Sequence, residues 1–422
     1  MMMAKKYRVL VSDKISQKAL ETLQDNKIEF DYMPDCGTSD TLIEVIEPYA
    51  GLIIRSASKV SREVIDRAKN LQVIGRAGIG VDNIDLNAAS SKGIVVMNTP
   101  HGNAITTAEH TLAMIFAACR QIPAADHSTQ KGKWEKSKFM GQELTGKTLG
   151  LIGVGNIGSI VADRALGLKL KVKAFAPFLT DERVQSLGIE RVKTMEKLVR
   201  ESDIISLHIP KTDKTTNIIN ASLIKKMKST AILINCARGG LVDETALANA
   251  LSKKSIAAAA FDVFGSEPAV ENALFGLDNV VCTPHLGAST SEAQVKVAVQ
   301  VSQQITDYLR EGAITNSINA PSISAAEAPL LKPWVKVSDV LGGFIGQVIE
   351  TGLKEINIEY VGSVGELNTK PLTCSIVAAI LNPVVGFGSV NLVSSLIFAR
   401  KRGIVISAVS YTHLTLPTTP YV

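Results

Sequence analysis

Thr148-Leu149-Gly150-Leu151-Ile152-Gly153-Val154-Gly155-Asn156-Ile157-Gly158 is the stretch that decides the fold of this chain. An apolar strand pattern runs into G-x-G-x-x-G and then into a helical pattern. That context makes the glycine spacing informative, since the spacing alone is weak. Gly153 permits a tight turn, Gly155 lets a pyrophosphate approach the backbone, and Gly158 lets the helix sit close to the strand. The start of the helix then offers unpaired N–H groups and the positive end of its dipole to phosphate. The reading is a dinucleotide-binding turn; the plain alternative is a glycine-rich turn of any α/β fold.

Downstream, apolar runs at Val172–Phe175, Ile204–Leu207, Ala231–Asn235, Ala257–Phe261 and Val280–Cys282 alternate with helical stretches. Together with Thr148–Ile152 they make six strand candidates, as a dinucleotide-binding sheet requires. Upstream the same alternation occupies Tyr7–Ser12, Ile28–Tyr32, Leu52–Arg55, Val73–Gly75 and Val95–Asn98, with a helix over Ser16–Gln24. Alternating β and α predicts a second parallel sheet covered on both faces. The alanine-rich helix Asn103–Arg120 joins two domains or forms an oligomer contact, and a further helix spans Ser291–Arg310. Past the Ser-, Ala- and Pro-rich linker Ser317–Ala328 come a helical stretch, Val335–Leu353, and a strand, Glu355–Tyr360, with no closing element read after them. Ser410–Val422 extends no pattern before it and is expected to be a non-native tail.

Bulk properties narrow the class. The 422 residues exceed one ordinary core, and 46% hydrophobic with 20% charged residues is globular composition. No apolar run reaches the roughly 18 residues of a membrane span, and no signal-type segment opens the chain, so a cytoplasmic protein with no membrane partner is expected. The net charge of +5 is spread along the chain, and the cluster Lys131, Lys133, Lys136, Lys138 is short for a nucleic-acid surface. The five cysteines are scattered and lack metal-type spacing, so no metal is expected.

Arg238 lies just past one strand, Glu267 follows Phe261-Asp262-Val263-Phe264, and His285 lies just past the next strand. In a doubly wound sheet the carboxyl ends of strands converge on the ligand crevice. Oxidising a 2-hydroxy acid needs a base near neutral pH, which histidine supplies. A carboxylate behind the imidazole fixes its tautomer, and an arginine can hold a substrate carboxylate by two hydrogen bonds. Each residue alone is more often structural; their joint placement favours catalysis. One departure stands out. The acidic residue that normally grips the ribose hydroxyls about 20 residues after the glycine turn is replaced by Ala176. Weaker, less selective NAD binding is the expectation.

The glycine turn, NCARGGLVDE (Asn235–Glu244), AFDVFGSEP (Ala260–Pro268) and TPHLGAST (Thr283–Thr290) resemble the D-isomer-specific 2-hydroxyacid dehydrogenases over residues from about 6 to about 405. The resemblance implies Arg238, Glu267 and His285 as the catalytic set. It implies cofactor contacts from Ile79, Gly153, Gly155, Asn156, Ile157, Gly158, Ala176, Pro210, Thr215, Cys236, Asp262, His285 and Ala288 to NAD. GRAGIGVDNID (Gly75–Asp85), TPHGNAITTAEHT (Thr99–Thr111) and KFMGQEL (Lys138–Leu144) are similar to the branch that acts on 3-phospho-D-glycerate. In that branch Arg55, Ser56, Arg76, Gly78, Asn103, Lys138, Arg238 and His285 would face the substrate, and the protein would be a homodimer or homotetramer. Sister activities on glyoxylate or hydroxypyruvate, and a weakly catalytic NAD-binding regulator, are the competing readings.

The implied architecture is α/β. Residues 1–100 and 288–318 would form a flavodoxin-like substrate domain, and 101–287 a Rossmann NAD domain whose closure on it excludes water. Residues 322–409 would be a partial α+β intervening domain. INIEYVGSVGELNTKPLT (Ile356–Thr373) resembles the start of that domain in longer members, so the chain reads as truncated, with an incompletely folded third segment.

Overall fold

The computed structural model describes residues 7–411 apart from 101, 350, 351 and 387. They fall into two compact units, one running to Gly102 and resuming at Gln294, the other Asn103–Ala293.

The first unit is built on a parallel sheet of β1 (Arg8–Val11), β2 (Glu29–Tyr32), β3 (Gly51–Ile54), β4 (Val73–Arg76) and β5 (Val95–Met97), in the order β2-β1-β3-β4-β5. This is the flavodoxin-like order, and its direction reverses between β1 and β3. Alternate residues feed opposite cores. Val9, Val11 and Ile53 pack on one face, Leu10, Leu52 and Ile54 on the other. Burial on both faces is why these strands read as continuous apolar runs.

The second unit holds β6 (Thr148–Ile152), β7 (Lys171–Phe175), β8 (Glu190–Arg191), β9 (Ile204–Leu207), β10 (Ile232–Asn235), β11 (Ala258–Phe261) and β12 (Val280–Cys282). All are parallel in the order β12-β11-β10-β9-β6-β7-β8, the Rossmann order with a switch between β6 and β9. The two-residue β8 was missed in sequence, because an exposed Glu-Arg pair carries no strand pattern.

The third segment shows more structure than its sequence promised. The helix Ala328–Val348 starts before the expected Val335. Pro329 stands at its first turn, where no N–H is required, so proline there marks a start and not a break. This helix packs on the helix Thr369–Val385 through Gly346, where a Cβ would lie 2.3 Å from the Ile380 carbonyl oxygen. β13 (Glu355–Val361) buries Ile356, Ile358 and Tyr360 and pairs in parallel with β14 (Val405–Tyr411). β14 is the closing element the sequence did not reveal. It takes in Ser410 and Tyr411, opposite Tyr360 and Val361, which corrects the start of the expected tail. Residues 412–422 of that tail lie outside the described residues. Among the described residues, no helix is long and apolar enough to cross a membrane.

Candidate active site

The glycine turn leaves β6 with Gly153 at φ 95°, where a Cβ would sit 2.5 Å from the His208 carbonyl oxygen. A Cβ on Gly158 would lie 2.4 Å from the Gly153 carbonyl oxygen, so helix and strand approach as only glycine allows. Gly155 faces open space, with nothing within 4 Å of its Cβ position. It opens the helix Asn156–Gly167 without a side-chain cap, which leaves the first N–H groups for a ligand. Exposed Asn156 and half-buried Ile157 form the rim. A dinucleotide pyrophosphate fits this cradle.

Other expected cofactor residues of this unit follow neighbouring strands of the same sheet. Ala176 follows β7, partly exposed, with no carboxylate in its place. The Pro210 carbonyl accepts a 2.8 Å hydrogen bond from the Thr215 hydroxyl, fixing that loop. Cys236 is buried, and burial pushes its thiol far up, so it stays protonated and is no nucleophile. His208 bonds Ser206 Oγ at 3.0 Å, and burial lowers it to about 4, so a neutral imidazole underlies the turn. Ile79 belongs to the other unit, where its carbonyl accepts from Asn98 Nδ2 at 2.6 Å.

Two of the three expected catalytic residues meet directly. His285 Nδ1 lies 2.6 Å from Glu267 Oε2, at the loops following β12 and β11. Glu267 Oε1 accepts the Phe264 N–H at 2.9 Å, which leaves Oε2 aimed at the imidazole. Burial pushes the Glu267 carboxyl up, but the His285 bond and the Phe264 N–H outweigh it and hold the group below its ordinary value. Arg238 stands in the loop after β10, its Nη1 donating to the Ala237 carbonyl at 2.7 Å. Gly239 beside it is obligatory, because a Cβ there would lie 1.7 Å from the Phe264 carbonyl oxygen. That contact brings the Arg238 loop against the Glu267 loop.

Asp262 is another of the expected cofactor residues. It is fully buried beneath the His285 loop. Oδ1 accepts from Thr283 Oγ1 at 2.6 Å and the Leu286 N–H at 2.7 Å, and Oδ2 accepts the Gly287 N–H at 2.8 Å. His110 Nε2 approaches Oδ1 at 3.1 Å. Burial pushes this carboxyl up, and the bonds from His110, Thr283 and Leu286 more than reverse it. Asp262 thus pins both sides of His285, whose φ of 56° is costly for a non-glycine residue. Ala288 follows, partly buried.

The expected substrate residues divide between the units. Arg55 and Ser56 follow β3, Arg76 ends β4, and these neighbours are joined by the Ala77 N–H to the Ile54 carbonyl at 2.8 Å. Gly78, at φ 148°, leaves room for the Arg76 guanidinium, which a Cβ would meet at 2.1 Å. In the second unit Asn103 precedes the helix Ala104–Arg120 without a side-chain capping bond and is buried, while Lys138 is exposed with Nζ 3.8 Å from Glu135 Oε2.

The chain is similar to known proteins over most of its length. Residues 112–287 match the family described as D-isomer specific 2-hydroxyacid dehydrogenase, NAD binding domain, and 330–415 the D-3-phosphoglycerate dehydrogenase intervening domain. The chain is 40% identical over 400 residues to a D-3-phosphoglycerate dehydrogenase of Archaeoglobus fulgidus, covering 94% of this chain and 75% of that one. A Synechocystis protein of the same name is 41% identical, with 94% and 71% covered. A Thermus thermophilus crystal structure superposes with TM-score 0.67 at 34% identity, over 74% of this chain and 99% of that one. The chain belongs to the D-3-phosphoglycerate dehydrogenase family.

It is an NAD-dependent dehydrogenase of the D-isomer-specific 2-hydroxyacid class. Sequence reasoning passed over several residues that organise this dehydrogenase's loops. Glu244 holds the Gly265 N–H at 2.8 Å and Asn272 Nδ2 at 2.6 Å, and His110 supports Asp262. Each stands inside a quoted motif, VDE and AEH, but in a single sequence nothing separates a polar residue that braces a loop from one that faces solvent.

Proposed function

We propose that the protein oxidises 3-phospho-D-glycerate at C2 to 3-phosphohydroxypyruvate, the first step of L-serine biosynthesis. The carrying observation is the 2.6 Å contact between His285 Nδ1 and Glu267 Oε2 past the carboxyl ends of β12 and β11, the end of the parallel sheet at which the glycine turn leaves β6. With Nδ1 engaged, Nε2 is the nitrogen left to take the C2 hydroxyl proton. Glu267, anionic across the neutral range, favours the imidazolium that results. Arg238 binds the substrate carboxylate, and Arg55, Ser56, Arg76, Gly78, Asn103 and Lys138 serve its anionic groups. NAD, held by Gly153, Gly155, Asn156, Ile157, Gly158, Pro210, Thr215 and Ala288 with Ile79, accepts the C2 hydride.

The same reading assigns residues 1–100 with 288–318 to substrate, 101–287 to NAD and 322–409 to the intervening domain, in a cytoplasmic homodimer or homotetramer. KFMGQEL and the segment after Ala320 favour the phosphorylated substrate over glyoxylate or hydroxypyruvate. The test is NADH oxidation with 3-phosphohydroxypyruvate, glyoxylate and hydroxypyruvate in parallel. Preference for the phosphorylated acid is expected; turnover with only the unphosphorylated acids would move the protein to a sister activity.

A further inference from the structure

The turn Arg55–Ser58 leaves β3 at the point where the strand order of the five-stranded sheet reverses, beside the end of β1. Open α/β sheets place ligands at such a point. A turn there must satisfy its backbone polar groups without a ladder to do it. Here two side chains from outside the turn take both ends. Asp13 Oδ2 accepts the Arg55 N–H and, at 3.2 Å, the Ser58 N–H. Asn83 Nδ2 donates to the Arg55 carbonyl at 2.7 Å and to the Ser58 carbonyl at 2.6 Å.

The surroundings make this clamp rigid. Asp13 is 3% exposed, so its carboxylate is held by those N–H groups in place of water. Asn83 is fixed through its own backbone, its carbonyl accepting the Val60 N–H at 2.8 Å. Ser58 Oγ meets Ser12 Oγ at 2.8 Å, both residues fully buried, and a Cβ on Gly37 would come within 2.7 Å of Ser58 Oγ. Between the clamped ends Ser56 and Ala57 are exposed. Arg55 starts from a fixed backbone and lays its Nη1 against the Lys14 carbonyl at 2.9 Å, one residue past Asp13.

We propose that Asp13 and Asn83 are positioning residues that grip the Arg55–Ser58 turn by its backbone and thereby set the affinity for the anionic substrate through Arg55. This rests on the reading of Arg55 as a substrate contact. A displacement of about 1 Å in a binding group costs on the order of tenfold to a hundredfold, so a loosened turn shows in KM.

The test uses the full chain with N83A, D13N, R55A and the double variant N83A/R55A. KM for 3-phosphohydroxypyruvate, kcat, NADH affinity by fluorescence and Tm are measured for each. Expected is a rise in KM of about tenfold for N83A and a smaller one for D13N, which keeps an acceptor oxygen, with kcat within about twofold and NADH affinity unchanged. R55A raises KM further, and N83A adds little on top of it, because coupled residues are non-additive. A lowered Tm with unchanged KM in N83A, or N83A and R55A effects that multiply in full, overturns the positioning role while leaving the Arg55 reading intact. R55A with unchanged KM removes the Arg55 reading and the inference with it.

Discussion

Both sheets send a buried aspartate from the carboxyl end of a strand into a neighbouring functional loop. Asp262, directly after β11, takes the Leu286 and Gly287 N–H groups; Asp13, two residues after β1, takes those of Arg55 and Ser58. What the loops carry differs. In the seven-stranded unit the functional side chain already has its chemical partner, since Glu267 meets His285 at 2.6 Å. In the five-stranded unit Arg55 lays its guanidinium on the Lys14 carbonyl, and under the proposed function its charge partner would be the substrate. A group that moves a proton needs its pKa and tautomer set before substrate comes. A group that binds an anion needs only its backbone set. The protein therefore clamps the backbone of both loops and adds a charged side-chain pair in the His285 loop.

The sharpest way to break that contrast is His285→Ala. Turnover should fall about 10³- to 10⁴-fold, the scale of a lost general acid–base group, with NADH affinity retained. A loss confined to KM would put His285 in the same class as Arg55. Next in size is Glu267→Gln, expected to lower kcat about a hundredfold with little change in KM, because it removes support for the imidazolium while keeping the shape. The pH dependence has a definite sign. Glu267 is held below its ordinary 4.5, so its favourable contribution is complete above that value and is lost as pH falls through the lowered one. The acid-side loss of stability from this pair should disappear in the glutamine variant; persistence of the full acid limb would place its origin elsewhere.

The contrast also explains what could be read from sequence. The meeting of His285 with Glu267 was legible because β10, β11 and β12 lie side by side in order and bring their following loops together. Asp13 and Asn83 were not, because what they recognise is backbone, which has no letter in the sequence. The grip of Asp262 on the Leu286 and Gly287 N–H groups was not legible, for the same reason. In the fold, strands such as β10, with all of Ile232–Asn235 buried, announced themselves. β14 did not: its pairing with β13 spans the helices Thr369–Val385 and Ser395–Lys401, and Val405–Tyr411 has no strongly buried face of its own. The helix Thr369–Val385 carries Pro371 and Pro383 and is buried on several sides, which erases the 3.6-residue period.

Ala176 is the place where the seven-stranded unit behaves like the other one, offering no charged partner in advance. β7 ends at Phe175, and the position that usually presents a carboxylate to the ribose hydroxyls presents a methyl group. Ala176 is partly exposed and Phe178 just beyond it is 97% exposed, so an aspartate could be seated without burying its charge. In the protein as it stands, NADH and NADPH should bind within about tenfold of each other, because nothing at this position repels the 2′-phosphate. Ala176→Asp should tighten NADH about tenfold, the worth of a charge-assisted hydrogen bond, and weaken NADPH by like-charge repulsion. Direct binding by fluorescence separates this from any effect on turnover. If the unaltered protein already rejects NADPH by more than a hundredfold, selectivity resides in another side chain at the β7–β8 edge and Ala176 is a neutral replacement.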